Sequence, residues 1–185
     1  MLIGLSGKAG SGKDTAYKFM EDIFLEESRD NIIYNMKFAE GIKKLAAELL
    51  EVNHLHFESQ EFKAKVIPTS EEGMTYRDFL LELGTGLVRK ADPNFWVKKA
   101  IRQCNYIDKD HYIFTDTRFT NEADKIREFG GKIIRLECIG NEGIDHISDK
   151  QLDDYDFDYI IKAEKGDTDS IAAQIEEIMI DIGLI

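Results

Sequence analysis

The sequence predicts an α/β fold, in which a parallel β-sheet carries helices on both faces. Short apolar runs that suit buried strands alternate along the chain with longer segments in which apolar residues recur at helical spacing. Strands that are separated by helices need crossover connections, and these favour a parallel sheet covered on both sides. Such sheets bind ligands at the carboxyl ends of their strands, where Gly7 and Asp116 are expected to lie.

Five segments are predicted to be strands. The first, residues 2–6, is a short apolar run that leads into glycines, which suits a buried strand. The other four are the short runs at residues 32–38, 112–116, 133–136 and 159–161. The run at 112–116 ends on Asp116, so an acid stands at the carboxyl end of that strand.

Helices are predicted between these strands. In the first of them, Phe19 and Met20 follow Ala16 by three and four positions, a spacing that places all three on one face of a helix. Asp92 and Pro93 resemble a helix start, with aspartate as the cap and proline in the first turn. The predicted helices cover residues 13–24, 42–50, 76–90, 92–106, 123–129 and 170–182. Residues 54–73 are polar and give a mixed signal.

Length and composition predict a single domain over residues 1–185. A chain of 185 residues with 43% hydrophobic residues can bury a sizeable core. No apolar run approaches the roughly 20 residues of a membrane-spanning helix, and the opening residues lack the basic lead of a signal peptide. Cys104 and Cys138 are far apart and lack metal-site spacing, so we expect two buried free thiols. These features favour a cytoplasmic protein with no membrane partner.

The charge distribution argues against a nucleic acid polymer as the partner. The net charge is -12, and residues 101–185 hold 10 Lys/Arg against 20 Asp/Glu. A protein that binds DNA or RNA needs a coherent basic face to displace counterions, and none is apparent. Any phosphate site is therefore expected to be local and to use a few cations and backbone amides.

The strongest motif is the phosphate loop, residues 7–15, which follows a predicted strand and opens a predicted helix. Glycines let the backbone N–H groups curl around phosphate oxygens, and the helix N-terminus adds a positive dipole end. The lysine at the start of the helix can reach the outer phosphates as a mobile charge. The residues predicted to bind the phosphates are Gly7, Lys8, Gly10, Ser11, Gly12, Lys13, Asp14 and Thr15.

The phosphate loop departs from the usual pattern immediately after the lysine. Asp14 occupies the place where a serine or threonine hydroxyl would ligate Mg²⁺, and Thr15 follows one position later. Because Mg²⁺ readily keeps several of its waters, Asp14 and Thr15 are predicted to hold the ion through water.

A second cluster follows the third predicted strand and consists of Asp116, Arg118 and Glu122. A buried acid needs a cation or a hydrogen-bond donor, and arginine has the planar fork for two-point contact with phosphate. Arg118 and Glu122 lie about one helical turn apart and could face one cleft. The alternative is an ordinary strand-to-helix turn capped by Thr117 or Thr120, with Arg118 and Glu122 as an exposed ion pair.

A third cluster combines residues 76–78, which include Arg77, with residues 83–87, which include Gly84 and Gly86. Each glycine within a helical pattern costs about 1 kcal/mol relative to alanine, and close approach of the backbone to a ligand is one reason to accept that cost. A helix interruption or tight helix packing explains the glycines equally well. Trp96, the single tryptophan, fits either the wall of a base site or the core.

At these residues the chain resembles the bacteriophage-type deoxynucleoside monophosphate kinases, a branch of the P-loop nucleotide kinases. The resemblance spans nearly the whole chain. Its most specific parts are Leu-Gly-Thr at 83–85, Trp-Val-Lys at 96–98 and Asp-Thr-Arg at 116–118. It also includes residues 38–43 and the motif 145–148, in which His146 would lie near the nucleotide.

The resemblance implies a three-layer P-loop NTPase fold with a five-stranded parallel sheet in the order 2-3-1-4-5. It implies ATP and Mg²⁺ at the phosphate loop, and a helical acceptor-binding region over about residues 54–106. The implied catalytic residues are Lys13, Arg77, Asp116 and Arg118. The implied substrate-binding residues are Lys43, Arg77, Gly84, Thr85, Trp96, Asp116, Arg118 and Glu122.

The sequence departs from the family pattern in three places. The region between Leu50 and Tyr76 is short, which implies a reduced acceptor-binding insertion, and Lys63 or Lys65 could replace an arginine there. Cys138 occupies the position where an arginine is expected after the fourth strand. The loop near His146 has no arginine, so an arginine-rich lid over ATP is not evident.

The expected function is transfer of the γ-phosphoryl group of ATP to a nucleoside monophosphate, and a deoxynucleotide is the favoured substrate. The expected partners are small nucleotides, in the host cytoplasm if the protein is viral, and a homodimer is left open. The alternatives are another small-molecule P-loop kinase, of the dephospho-coenzyme A or phosphomevalonate type, and a nucleotide-binding regulator without transfer activity.

Overall fold

The five predicted strands are all present and pair in parallel within one sheet. The computed structural model describes residues 1–27, 32–104, 110–140 and 151–185. The strands are β1 (Leu2–Gly7), β2 (Ile33–Met36), β3 (His111–Phe114), β4 (Lys132–Ile139) and β5 (Tyr159–Glu164). Their order in the sheet is β2-β3-β1-β4-β5, which confirms the predicted α/β P-loop topology.

Eight α-helices accompany the sheet in the described part of the chain. They are α1 (Lys13–Glu27), α2 (Glu40–Leu49), α3 (Gln60–Lys63), α4 (Tyr76–Leu81), α5 (Arg89–Ala91), α6 (Phe95–Gln103), α7 (Thr120–Glu128) and α8 (Thr168–Asp181). A 3-10 helix at His54–Glu58 precedes α3, and a π-helix at Glu82–Val88 joins α4 to α5. None of these described helices is both long enough and apolar enough to cross a bilayer.

The chain divides into two units, and the first contains the whole sheet. It consists of Met1–Lys37 and Cys104–Ile185. Helices α1 and α8 cover one face, where Leu5, Met20 and Ile175 belong to one buried apolar cluster. Helix α7 covers the other face and contacts β1 and β4 through buried residues such as Ile126. The central strands β1 and β3 are therefore buried on both faces, as apolar parallel strands require.

The second unit, Phe38–Gln103, is helical and has its own core. Buried Ala46, Phe57, Tyr76 and Leu83 form its apolar centre. This unit includes α2 as well as residues 54–103 of the region of about 54–106 that the resemblance assigned to acceptor binding.

The helix predicted over residues 76–90 was wrong as one continuous α-helix, because a π-helix occupies its middle. The interruption begins at Glu82 and contains both glycines of the Leu-Gly-Thr-Gly segment. A π-helix widens the turn by one residue, which is rare and often marks a functional site. The glycine pair therefore marks a helix interruption, one of the alternatives that the sequence left open.

Candidate functional site

The phosphate loop connects the end of β1 to the start of α1. Gly7, Gly10 and Gly12 have positive φ angles of 154°, 75° and 93°, which side-chain-bearing residues rarely adopt. A Cβ on Gly7 would come within 2.6 Å of the Leu136 carbonyl oxygen. The Ser11 N–H donates to the Lys8 carbonyl at 3.1 Å and closes the turn. The glycines are thus required by the backbone path itself.

Lys13 directs its ammonium group back into the loop. Its Nζ donates to the Gly7 carbonyl at 2.7 Å and to the Lys8 carbonyl at 2.9 Å, and lies 3.5 Å from Ser11 Oγ. Lys13 is the first residue of α1, so the charge and the helix N-terminus act at one place. The arrangement fits a phosphate group, because the curl holds a cation and leaves no room for a side chain at Gly7.

Asp14 and Thr15 follow Lys13 in the first turn of α1. Asp14 is exposed and Thr15 is half-buried. Their oxygen atoms are the kind of ligand that Mg²⁺ accepts, either directly or through water. No group of three or more His, Cys, Asp or Glu side chains that could hold a metal ion occurs within the described ranges. Asp14 and Thr15 are the residues of this turn that could hold such an ion.

Asp116 lies where the sequence expected it, just beyond the carboxyl end of β3 and beside the end of β1. The Thr115 N–H donates to the Met36 carbonyl at 3.1 Å, and the Thr117 N–H donates to the Leu5 carbonyl at 3.3 Å. These bonds extend the pairing of β3 with both neighbouring strands past Phe114. The half-buried Asp116 is thus fixed at the same sheet edge as Gly7.

Glu122 is buried, with 2% of its surface exposed, and it organises the turn before α7. Its carboxylate accepts the backbone N–H of Arg118 at 2.9 Å and that of Phe119 at 3.1 Å. Phe119 is the cap residue of α7 and has no side-chain acceptor. The alternative was a turn capped by Thr117 or Thr120, with Arg118 and Glu122 as an exposed ion pair. It was wrong, because Glu122 is buried and accepts hydrogen bonds from backbone N–H groups.

Within the helical unit, Lys43 and Arg77 both contact the segment that contains the 3-10 helix and α3. Lys43 Nζ lies 2.5 Å from a carboxylate oxygen of Glu58, and 12% of the lysine side chain is exposed. Arg77 donates to the side-chain oxygen of Gln60 at 2.8 Å. The two cations that the resemblance assigned to the acceptor phosphate therefore bind the side chains of Glu58 and Gln60, which are two positions apart in the chain.

Gly84, Thr85 and Trp96 form one local arrangement around the π-helix. The Trp96 indole N–H donates to the Gly84 carbonyl at 3.2 Å, and Trp96 is 1% exposed. The Thr85 hydroxyl donates to the Leu81 carbonyl at 2.6 Å. Trp96 is therefore a core residue that supports the π-helix, and contact of its ring with a base would need rearrangement. Lys63 and Lys65, suggested by the resemblance, flank the end of α3.

Arg135 is a residue near the phosphate loop that the sequence reasoning missed. It lies in β4, is 7% exposed, and lines a cavity of about 340 Å³ together with Lys8, Ser11 and Asp153. Its guanidinium donates to Ser6 Oγ at 3.1 Å and to Asp153 Oδ1 at 2.8 Å. The signal was an arginine between the apolar residues Ile134 and Leu136 of a strand, since a charge there needs a partner.

The two cysteines differ more than the sequence predicted. Both are free, and Cys104 is buried, but Cys138 is half-buried in the wall of the same cavity. Burial raises the pKa of the Cys104 thiol to about 11, so that thiol stays protonated. The predicted nucleotide contact of His146 lies outside the described residues, as does the motif 145–148.

Comparison with known proteins gives a consistent family. The family model described as deoxynucleotide monophosphate kinase matches residues 32–175, well over half of the chain. That range begins after the phosphate loop, so the loop geometry is separate support.

Two viral proteins are similar to this chain. A protein of Acanthamoeba polyphaga mimivirus, whose name assigns it provisionally to the deoxynucleotide monophosphate kinases, is 30% identical over 167 residues, or 82% of each chain. A protein of Escherichia phage RB69, named deoxynucleotide monophosphate kinase, is 29% identical over 132 residues. That match covers 69% of this chain and 54% of the phage protein.

Proposed function

We propose, because the chain belongs to the deoxynucleotide monophosphate kinase family, that it transfers the γ-phosphoryl group of ATP to a deoxynucleoside monophosphate. Membership in this family makes the chain a nucleotide phosphotransferase. The products are ADP and a deoxynucleoside diphosphate. The observation that supports this assignment most directly is the Lys13 ammonium inside the phosphate loop, 2.7 Å and 2.9 Å from two loop carbonyls. A phosphate chain offers that cation better acceptors than neutral carbonyls do.

The donor-binding residues of the proposal are Gly7, Lys8, Gly10, Ser11, Gly12, Lys13, Asp14 and Thr15. Loop amides and the N-terminus of α1 bind the phosphate oxygens, and Lys13 exchanges its carbonyl partners for the outer phosphates. Mg²⁺, when bound, supplies positive charge that offsets the charge of the transferring group, and Asp14 and Thr15 are the residues we assign to it.

For the acceptor, we assign Lys43 and Arg77 of the helical unit to the monophosphate group. Both are cations, and both have a side-chain partner that a phosphate can replace, Glu58 for Lys43 and Gln60 for Arg77. Trp96 acts indirectly, because it holds the π-helix that contains Gly84 and Thr85. The backbone and hydroxyl of that π-helix are proposed to approach the sugar or base.

In the sheet-containing unit, Asp116 and Arg118 complete the proposed catalytic set. Arg118 contributes positive charge to the phosphates, and Asp116 orients a water or a substrate hydroxyl at the sheet edge. Glu122 holds the backbone of Arg118 in place through the 2.9 Å hydrogen bond to its N–H. No general base is needed, because the attacking phosphate oxygen is already anionic at neutral pH.

We further propose that the protein acts in the cytoplasm, that of the host if it is viral, and binds small nucleotides there. A homodimer is compatible with the proposal and is not required by it.

A panel of acceptors with Mg²⁺ and ATP tests the function. The protein is incubated with dGMP, dTMP or dCMP, each at saturating concentration, and ADP release is followed by a coupled assay. Dephospho-coenzyme A and phosphomevalonate serve as matched controls. We expect turnover of at least one deoxynucleotide and none of the controls.

Two outcomes would contradict the proposal. Turnover of a control compound alone would assign the chain to another small-molecule kinase. Binding of ATP without ADP release for every acceptor would favour a nucleotide-binding regulator.

A further inference from the structure

Arg135 is a buried charge at the base of the phosphate loop. It pairs in register with Ser6, the residue before Gly7, across the β1–β4 ladder. Its guanidinium donates to Ser6 Oγ at 3.1 Å, and Ser6 is 1% exposed. The Gly7 carbonyl, one residue further on, accepts from Lys13 at 2.7 Å. Arg135 is thus linked to the start of the loop by a hydrogen bond from which water is excluded.

The other end of the guanidinium contacts the segment that leads to β5. It donates to Asp153 at 2.8 Å and stacks over the Phe157 ring at 5.3 Å. Asp153 is 43% exposed at its side chain, whereas Arg135 is 8% exposed. The same cavity of about 340 Å³ is lined by Lys8 and Ser11 of the loop. Asp153 and Glu137 also line the cavity, so the Arg135 charge borders the space proposed for the donor phosphates as one half of an ion pair.

Stability alone does not explain this arrangement. Burying an arginine costs several kcal/mol of desolvation, and a pair with the half-exposed Asp153 returns only part of that cost. A second arginine already ties the same segment to the fold, because Arg127 pairs with Asp158 at 3.1 Å and lies over the Tyr155 ring at 5.0 Å. Arg127 is not part of the cavity wall at the loop.

We propose that Arg135 is a positioning residue for the donor nucleoside triphosphate, an inference that rests on the proposed function. By holding Ser6 it fixes the start of the phosphate loop, and by its charge beside Lys8 and Ser11 it favours the polyphosphate. Asp153 and Phe157 keep the guanidinium in the orientation that serves both roles.

The test measures nucleotide affinity and kinetics in the full-length chain. The variants are Arg135→Met, Arg135→Lys and Ser6→Ala, with Arg127→Met as the matched control. The dissociation constant of a non-hydrolysable ATP analogue with Mg²⁺ is measured by calorimetry, and KM is measured for ATP and for the acceptor. Thermal unfolding is recorded for each variant.

Arg135→Met should weaken binding of the analogue by roughly 10- to 100-fold, because the start of the loop is no longer held in the geometry that binds the phosphates. KM for ATP should rise in parallel while KM for the acceptor stays unchanged. Arg135→Lys should recover part of the affinity because it keeps the charge, and Ser6→Ala should show a smaller loss. Arg127→Met should lower the unfolding temperature and leave the affinity unchanged.

Three results would overturn the inference. These are wild-type affinity in a folded Arg135→Met, an equal loss of affinity in Arg127→Met, or no difference between Arg135→Met and Arg135→Lys. If Arg135→Met does not fold, the folded Arg135→Lys and Ser6→Ala variants decide, and unchanged affinity in both rejects the role. A wild-type chain that binds the analogue but phosphorylates no acceptor removes the proposed function and leaves this affinity comparison valid.

Discussion

The phosphate loop and the cations of the helical unit are prepared for anions in different ways. In the loop, the cation Lys13 contacts the backbone carbonyls of Gly7 and Lys8. In the helical unit, Lys43 is paired with the carboxylate of Glu58, and Arg77 with the amide oxygen of Gln60. The loop is shaped by backbone geometry, whereas these cations depend on side chains that can move.

This difference has an energetic consequence. A site whose shape is already formed loses little conformational freedom when its ligand binds, so most of the interaction energy appears as affinity. A cation that already has an anionic partner must give up that contact first. We therefore expect the loop to be intolerant of substitution, and the acceptor side to be adjustable in both directions.

The largest effect is expected for Lys13→Ala. Removing the ammonium from the loop takes away charge that is aimed at the transferring group, and such losses lower kcat by about a hundred- to a thousandfold. The fold should be retained, because β1 and α1 keep their own hydrogen bonds. Steady-state kinetics with ATP and the preferred deoxynucleotide measure the effect. Lys18→Ala, an exposed lysine on the same helix, is the control and should be normal.

A normal rate in Lys13→Ala would contradict the proposed role of the loop, since the loop would then not need its cation.

An intermediate effect is expected from alanine at a glycine, and it should be larger in the loop than in the helical unit. At Gly7, with φ at 154°, a Cβ would lie 2.6 Å from the Leu136 carbonyl and 2.3 Å from Ser11 Oγ. Backbone strain of this kind costs about 1–3 kcal/mol, and ATP binding should be lost as the loop shifts. At Gly84 the nearest atom is the flexible end of Ile42 at 2.9 Å, so Gly84→Ala should cost less.

Chemical unfolding and calorimetric ATP binding measure both glycine variants side by side. Gly84→Ala should keep the ATP affinity. Equal loss of stability and of ATP binding in the two variants would show that the loop backbone is not specially constrained.

The smallest effect is expected for Glu58→Gln, and it should improve binding. The substitution keeps the shape of the side chain and removes the charge that holds Lys43. An exposed ion pair is worth about 0.2–1 kcal/mol, so KM for the acceptor should fall by up to roughly fivefold while KM for ATP stays constant. Glu128→Gln is the control, because Glu128 pairs with Lys125 at 2.8 Å and neither residue is assigned to a binding site.

An unchanged or raised KM for the acceptor in Glu58→Gln would mean that Lys43 does not exchange Glu58 for the acceptor phosphate.

Much of the fold followed from local patterns in the sequence. Apolar runs such as residues 2–6 identified the strands, and the spacing of apolar residues identified the helices between them. The helix over 76–90 was the exception. Apolar spacing does not distinguish an α-helix from one that widens into a π-helix at Gly84, where the Trp96 indole N–H binds the Gly84 carbonyl.

The candidate site divides in the same way. The phosphate loop could be predicted because its glycines and the lysine at the helix start lie within nine consecutive residues. The burial of Glu122 and its hydrogen bonds from the backbone N–H groups of Arg118 and Phe119 could not be predicted from the sequence. A glutamate three or four positions after an arginine fits an exposed ion pair equally well, and only packing decides between the two.

The α/β class, the phosphate loop and the resemblance to nucleotide kinases could all be inferred from the amino-acid sequence. These depend on backbone preferences and on periodicities that operate over a few residues. Tertiary structure alone decided that Arg135 binds Ser6, 129 positions away in the chain, and that Lys43 pairs with Glu58. Such contacts form only when folding brings distant segments together, and the cost of burying a charge is set by whatever surrounds it there.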